Sequence, residues 1–192
     1  MAPDARDAPV GGFRVSSIDE VHGWAMWSLV RGEFVDPDGE RFVRSFVRSP
    51  GAVGVVALHE GTDPRVVLVR QYRPALHRMT LELPAGMRDQ DGEDALVTAK
   101  RELREEVGLE AEVWLRIGRH VSAPGISNST VELFLCRELR DVPTDPHGPE
   151  ERHMTIEEHP LSEALTMVTD GRIDDAKTVI GLFAAERSLR GD

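Results

Sequence analysis

Long apolar runs are missing from this 192-residue chain, and so are paired cysteines, a basic surplus and any internal repeat. No stretch approaches the roughly 18 apolar residues that a bilayer-spanning helix needs. The single cysteine, Cys136, has no partner for an internal disulfide, which predicts a reducing, cytoplasmic setting. Acidic residues outnumber basic ones 34 to 23, and the net charge of −11 argues against a general nucleic-acid binder, because no basic face stands ready to neutralise a phosphate backbone. A small anionic ligand would need local arginines or a metal ion to overcome that field. None of the seven histidines pairs with cysteine or another histidine at zinc-ligand spacing. The opening dozen residues are rich in Pro, Asp and Gly and hold no apolar core of signal-peptide type.

What the chain does carry is a clear change of hydrophobic period. Residues 21–35 and 41–47 read as strands joined through the turn "DPDGE". Residues 51–60 and 64–72 form β-branched runs around "GTD", a second hairpin, and 79–86 alternates until it stops at Pro84-Ala85-Gly86. From residue 93 to 107 the period becomes 3.6, with Leu96, Ala99, Leu103 and Val107 on one stripe and Gly108 placed to close the helix. Strands resume over 111–121, 129–139 and 154–160. Two helices follow, at 161–171, opened by Ser162, and at 174–189. Strands mixed with few, late helices predict an α+β class. Residues 1–47 form a small antiparallel sheet too thin to bury a core alone, so it must pack on the main domain, 48–192, or on a second subunit.

The segment "AKRELREEVGLEA" raises the chemical question. Residues three and four apart are neighbours on a helix, so Glu102 sits beside Glu105 and Glu106, where the three must repel. Oxygen-only ligands in a cluster are what Mg²⁺ or Mn²⁺ selects. Arg101, one turn before Glu105, can hold a carboxylate in place. Taken alone, the same residues also read as a solvated, acid-rich helix face.

The spacing bears on that choice. "GMRDQDGEDALVTAKRELREEVGL" resembles the Nudix box, G-x5-E-x7-R-E-U-x-E-E-x-G-U with U aliphatic. Glu93 stands eight before Arg101, and Arg101-Glu102-Leu103, Glu105-Glu106 and Gly108-Leu109 fill the later slots. Gly86 departs from the pattern by one residue, in the turn that enters the helix. The resemblance implies a Nudix-type α/β/α sandwich with a mixed sheet, preceded by the small sheet. It also implies divalent metal, Mg²⁺ with Mn²⁺ as alternative, held by Glu102, Glu105, Glu106 and the backbone carbonyl of Ala85. That metal would supply the positive charge which makes the clustered acids tolerable.

"RQYRPALHRMTLELPAG" and "SAPGISNST" further resemble the ADP-ribose pyrophosphatase group of that family. By that resemblance Arg44, Arg73 and Pro124 contact substrate, Trp27 or Trp24 stacks on adenine, and the small sheet exchanges across a homodimer. Ser129 stands where some relatives carry Glu. The catalytic base would come from the loop "GPEERH", as Glu150 with Glu151 in reserve, alongside Glu105 and Arg101 in the box. The implied reaction is Mg²⁺-dependent hydrolysis of a nucleoside diphosphate sugar, ADP-ribose to AMP and ribose 5-phosphate. Alternatives are another sugar nucleotide, such as GDP-mannose or ADP-glucose, or a sensor that binds ADP-ribose without cutting it.

Overall fold

A computed structural model describes residues 9–90, 92–144 and 152–191. Contacts divide the chain into two compact units: residues up to Pro50 with Val121–Ser129, and Gly51–His120 with Thr130–Asp192.

In the first unit, β1 (Arg14–Trp24), β2 (Trp27–Val35) and β3 (Arg41–Arg48) pair in order as an antiparallel sheet. Sequence periodicity reads residues 21–35 as one strand, but the chain reverses inside it. Trp24 pairs with Trp27 across a two-residue turn, and Ala25 takes φ +44°. The turn uses neither Gly nor Pro, so its signal is absent from the sequence. The second turn behaves as expected: Asp36 Oδ1 accepts from the N–H groups of Asp38 and Glu40. The sequence-based division falls after Val47, whereas the compact units divide after Pro50. Residues 121–129 join the first unit because Val47 N donates to the Ile126 carbonyl and Ser49 N donates to Asn128 Oδ1.

The second unit is built on β4 (Ala52–His59), β5 (Arg65–Arg73), β6 (Arg78–Glu82), β7 (Ala85–Met87), β8 (Leu109–Val121), β9 (Thr130–Asp141) and β10 (Thr155–Pro160). The sheet runs β10-β5-β4-β9-β8, with β6 pairing β5 and β7 pairing β4. It is mixed: β4 lies parallel to β9 and antiparallel to β5 and β7. Its helices among the described residues include α1 (Ala95–Val107), α2 (Leu161–Thr169) and α3 (Ala176–Arg190).

Alternation along β4 assigns the helices to faces. Val53, Val55 and Ala57 pack with Ala95, Ala99, Leu103 and Val107 of α1. Val56 and Leu58 pack with Leu161, Ala164 and Met167 of α2 and with Leu182 and Ala185 of α3. A strand buried on both faces therefore reads as a continuous apolar run. The result is the α/β/α sandwich. Pro160, not Ser162, occupies the N-cap of α2, and the Ser162 hydroxyl donates to Asp63 instead. No helix among the described residues is long and apolar enough to cross a membrane.

Candidate active site

Helix α1 is fixed at both ends before its acids come into play. The Asp94 side chain accepts from Leu96 N at 2.8 Å, and Gly108 closes the helix in the left-handed region at φ +65°. With its apolar stripe on the sheet, the helix holds Glu102 and Glu106 in buried positions and Glu105 half-buried.

Two devices hold these carboxylates. Ala85, entering β7, donates its N–H to Glu106 Oε2 at 2.9 Å. At Gly86 a Cβ would meet Glu102 Cδ at 1.9 Å, so only glycine leaves room for that carboxylate. The extra residue between Gly86 and Glu93 therefore does not shift the glycine away from the acid it serves.

Arg101 is the hub. Its Nη1 lies 2.8 Å from Glu102 and 3.1 Å from Glu105; its Nη2 lies 3.3 Å from Asp89 and 3.7 Å from Glu93. Burial pulls the Arg101 guanidinium pKa down, but Glu102, Glu105 and Glu93 reverse that and leave it raised. Arg101 thus pairs with both Glu102 and Glu105, in keeping with its place one turn before Glu105.

A cleft of about 370 Å³ is lined by Gln71, Tyr72, Arg73, Pro74, Ala85, Gly86, Met87, Asp89, Arg101 and the three helix glutamates. A larger hollow of about 820 Å³ flanks α1 beside Lys100, Arg104 and Trp114, but includes neither Glu102 nor Glu106. The chemistry points to the smaller one.

Behind the cleft lies a buried charge cluster that the sequence did not signal. Glu82, almost wholly buried, receives Arg73 Nε and Nη2 at 2.7 Å each, Thr80 Oγ1 at 2.6 Å, and the Lys177 ammonium. Burial pushes the Glu82 carboxyl up, but the hydrogen bonds from Arg73 and the charge of Lys177 outweigh it and hold the group at about 2. Lys177 also meets Asp175 at 2.9 Å, and Asp175 caps α3 through Thr178 N and Oγ1.

The donor set suits a hard cation, being all oxygen, and Gly86 provides a cradle that a side chain would fill. Among the described residues no three acidic, histidine or cysteine side chains converge as a ready-made metal cluster. The residues fit such an ion by chemistry.

The structure brings Arg73, Ala85, Arg101, Glu102, Glu105 and Glu106 to one cleft. Arg73 reaches it with two of its nitrogens already bound to Glu82. Trp27, Arg44 and Pro124 belong to the first unit. There Trp24 and Trp27 stack at 6.4 Å between centroids, and Arg44 lies 5.1 Å over the Phe42 ring. Glu150 and Glu151 lie outside the described residues. Sequence reasoning missed Gln71 and Glu82, though Gln71 shares the period-2 face of Arg73 and this signal was available.

Comparison with known proteins gives concordant matches. The model of the NUDIX domain matches residues 48–180. An ADP-ribose pyrophosphatase of Mycobacterium tuberculosis (strain ATCC 25618 / H37Rv) is 35% identical over 179 residues, covering 93% of this chain and 86% of that protein. A methanol dehydrogenase activator of Bacillus methanolicus is 36% identical over 146 residues, covering 76% and 77%. A solved structure described as an ADP compounds hydrolase superposes with a TM-score of 0.80 at 21% identity, covering 96% of this chain and 97% of that one. This last match speaks for the fold alone.

Proposed function

Because the chain belongs to the Nudix family, we propose that it hydrolyses the pyrophosphate bond of a nucleoside diphosphate sugar, ADP-ribose, to AMP and ribose 5-phosphate. It is a Nudix hydrolase by family. The observation that carries the reading is the contact of Gly86 with Glu102 in a cleft that also holds Glu105, Glu106 and Arg73. The 35% identity to an ADP-ribose pyrophosphatase supports the choice of substrate.

Glu102, Glu105 and Glu106 would hold the divalent metal, Mg²⁺ in our reading with Mn²⁺ as alternative. When bound, such an ion neutralises pyrophosphate charge and lowers the pKa of water. The chain's own residues do the rest. Arg101 fixes the orientation of Glu102 and Glu105 through its Nη1. Arg73 brings positive charge to the cleft, set in direction by Glu82. Glu150 takes a proton from the attacking water as its oxygen bonds to phosphorus and the bridging P–O bond breaks. Trp27, or Trp24, is assigned to stacking on the adenine, and Arg44 and Pro124 to further substrate contacts.

The experiment is product analysis with ADP-ribose, GDP-mannose and ADP-glucose, with and without Mg²⁺ or Mn²⁺, for wild type, Glu106→Gln and Glu150→Gln. We expect ADP-ribose to be preferred, turnover to require the ion, Glu106→Gln to be nearly inactive, and Glu150→Gln to lose about 10²–10⁴-fold in kcat. Preference for another sugar nucleotide would correct the substrate. Tight binding of ADP-ribose without cleavage would replace the hydrolase by a sensor.

A further inference from the structure

Strand β5 sends Val69 into the core under α1, and Gln71 and Arg73, two and four residues on, continue that face into the cleft. Gln71 is 5% exposed, yet its Nε2 meets no hydrogen-bond partner among the described residues. Buried carboxamides are almost always paired, and one left unpaired at a cleft wall gives up its hydration for nothing within the protein.

The unpaired atom is a donor and needs an acceptor. The acceptors near it are engaged by stronger donors: Glu82 receives Arg73 Nε and Nη2 and the hydroxyl of Thr80, which stands opposite Gln71 on β6, and Glu102 and Glu105 face Arg101 Nη1. An amide carries no charge, so the surrounding glutamates do not draw it into an ion pair as they would an arginine. The terminal torsion of glutamine is soft, which lets the N–H2 turn toward the cleft.

We propose that Gln71 is a substrate-binding residue whose N–H2 donates to a non-bridging oxygen of the pyrophosphate. The assignment rests on the hydrolase reading above. It names the diphosphate as the group recognised, because Gln71 lines the same cleft as Arg73 and the helix glutamates.

The test uses the full chain as Gln71→Met and, as a second apolar variant, Gln71→Leu. Melting temperature and steady-state kinetics are measured on every nucleoside diphosphate sugar that the wild type cleaves. Loss of a hydrogen bond to a charged oxygen predicts a fall in kcat/KM of about ten- to a hundred-fold, mostly in KM. The fall should be the same whatever the sugar, and the melting temperature should be unchanged or higher, since an unpaired amide has been removed. A kcat/KM within threefold of wild type in both variants overturns the proposal. So does a loss confined to one sugar nucleotide, or failure of both variants to fold, which would make Gln71 structural. A wild type inert toward every such substrate instead overturns the hydrolase reading, and that result is read before any variant is made.

Discussion

Gly86 lacks a side chain because the Glu102 carboxylate occupies the space where one would stand. Gly86→Ala should therefore force either β7 or the carboxylate to move, and overpacking of this kind costs about 1–3 kcal/mol. We expect a lower melting temperature and at least a roughly tenfold lower kcat, the scale of a misplaced catalytic group. Wild-type values in calorimetry and kinetics together would rule the contact out as a constraint. Glu82 gives a second prediction at this scale. Its carboxyl is held at about 2, below the ordinary 4.5. The stability it contributes is thus fully present above about 4.5 and drains away as pH falls toward 2. Over that window the wild type should lose stability with a slope steeper than Glu82→Gln by up to about 1.4 kcal/mol per pH unit. Urea unfolding across the acid range measures it, and parallel slopes would contradict the assignment. Cys136, by contrast, is inert: burial pushes its thiol up to about 12.

At the scale of elements, α1 carries the site and its ends set where the acids fall. Asp94 supplies the N-terminal cap and lies outside the cleft lining. Asp94→Ala should cost about 1 kcal/mol of stability while leaving kcat within about twofold of wild type. Denaturant titration and initial rates check both halves, and a large loss of kcat would mean that the cap also tunes the position of Glu102. The start and end of this helix were legible because caps and the 3.6 period are local signals. The turn between β1 and β2 was not, because Ala25 adopts its positive φ without a residue type that announces it. The cap of α2 is Pro160 and not the expected Ser162 for a related reason. A serine near a helix start is a candidate cap, but Asp63, 99 residues away in sequence, takes its hydroxyl.

For the whole molecule the open question is what covers the first unit. This unit exposes Phe13, Val21, Trp24, Met26 and Val43, a run of large apolar side chains of the kind that marks an interaction surface. We propose a homodimer in which this sheet is exchanged between subunits. Light scattering should give twice the 21.3 kDa of one chain. Removal of residues 1–47 should yield a less stable protein with weaker substrate binding. A monomeric full-length enzyme with normal KM would exclude the arrangement.

The sequence by itself determined the family, the helix that bears the acids and the face on which they lie, since box spacing and helical period are short-range properties. It also marked residues 51–60 and 64–72 as a hairpin of β-branched strands, while their burial on both faces came from the packing of the helices. Tertiary structure alone decided how that chemistry is held. Arg101 meets Glu102 and Glu105 along its own helix, but it reaches Asp89 only because the turn after β7 folds back along α1. Glu82 finds Lys177, 95 residues further on, only when α3 closes on the edge of β6. The burial of Gln71 without a partner is a property of the packed cleft and of no local pattern. Local signals report where a side chain points along its own element. What it meets there depends on segments brought close by the packing of the core, and that information is spread over the whole chain.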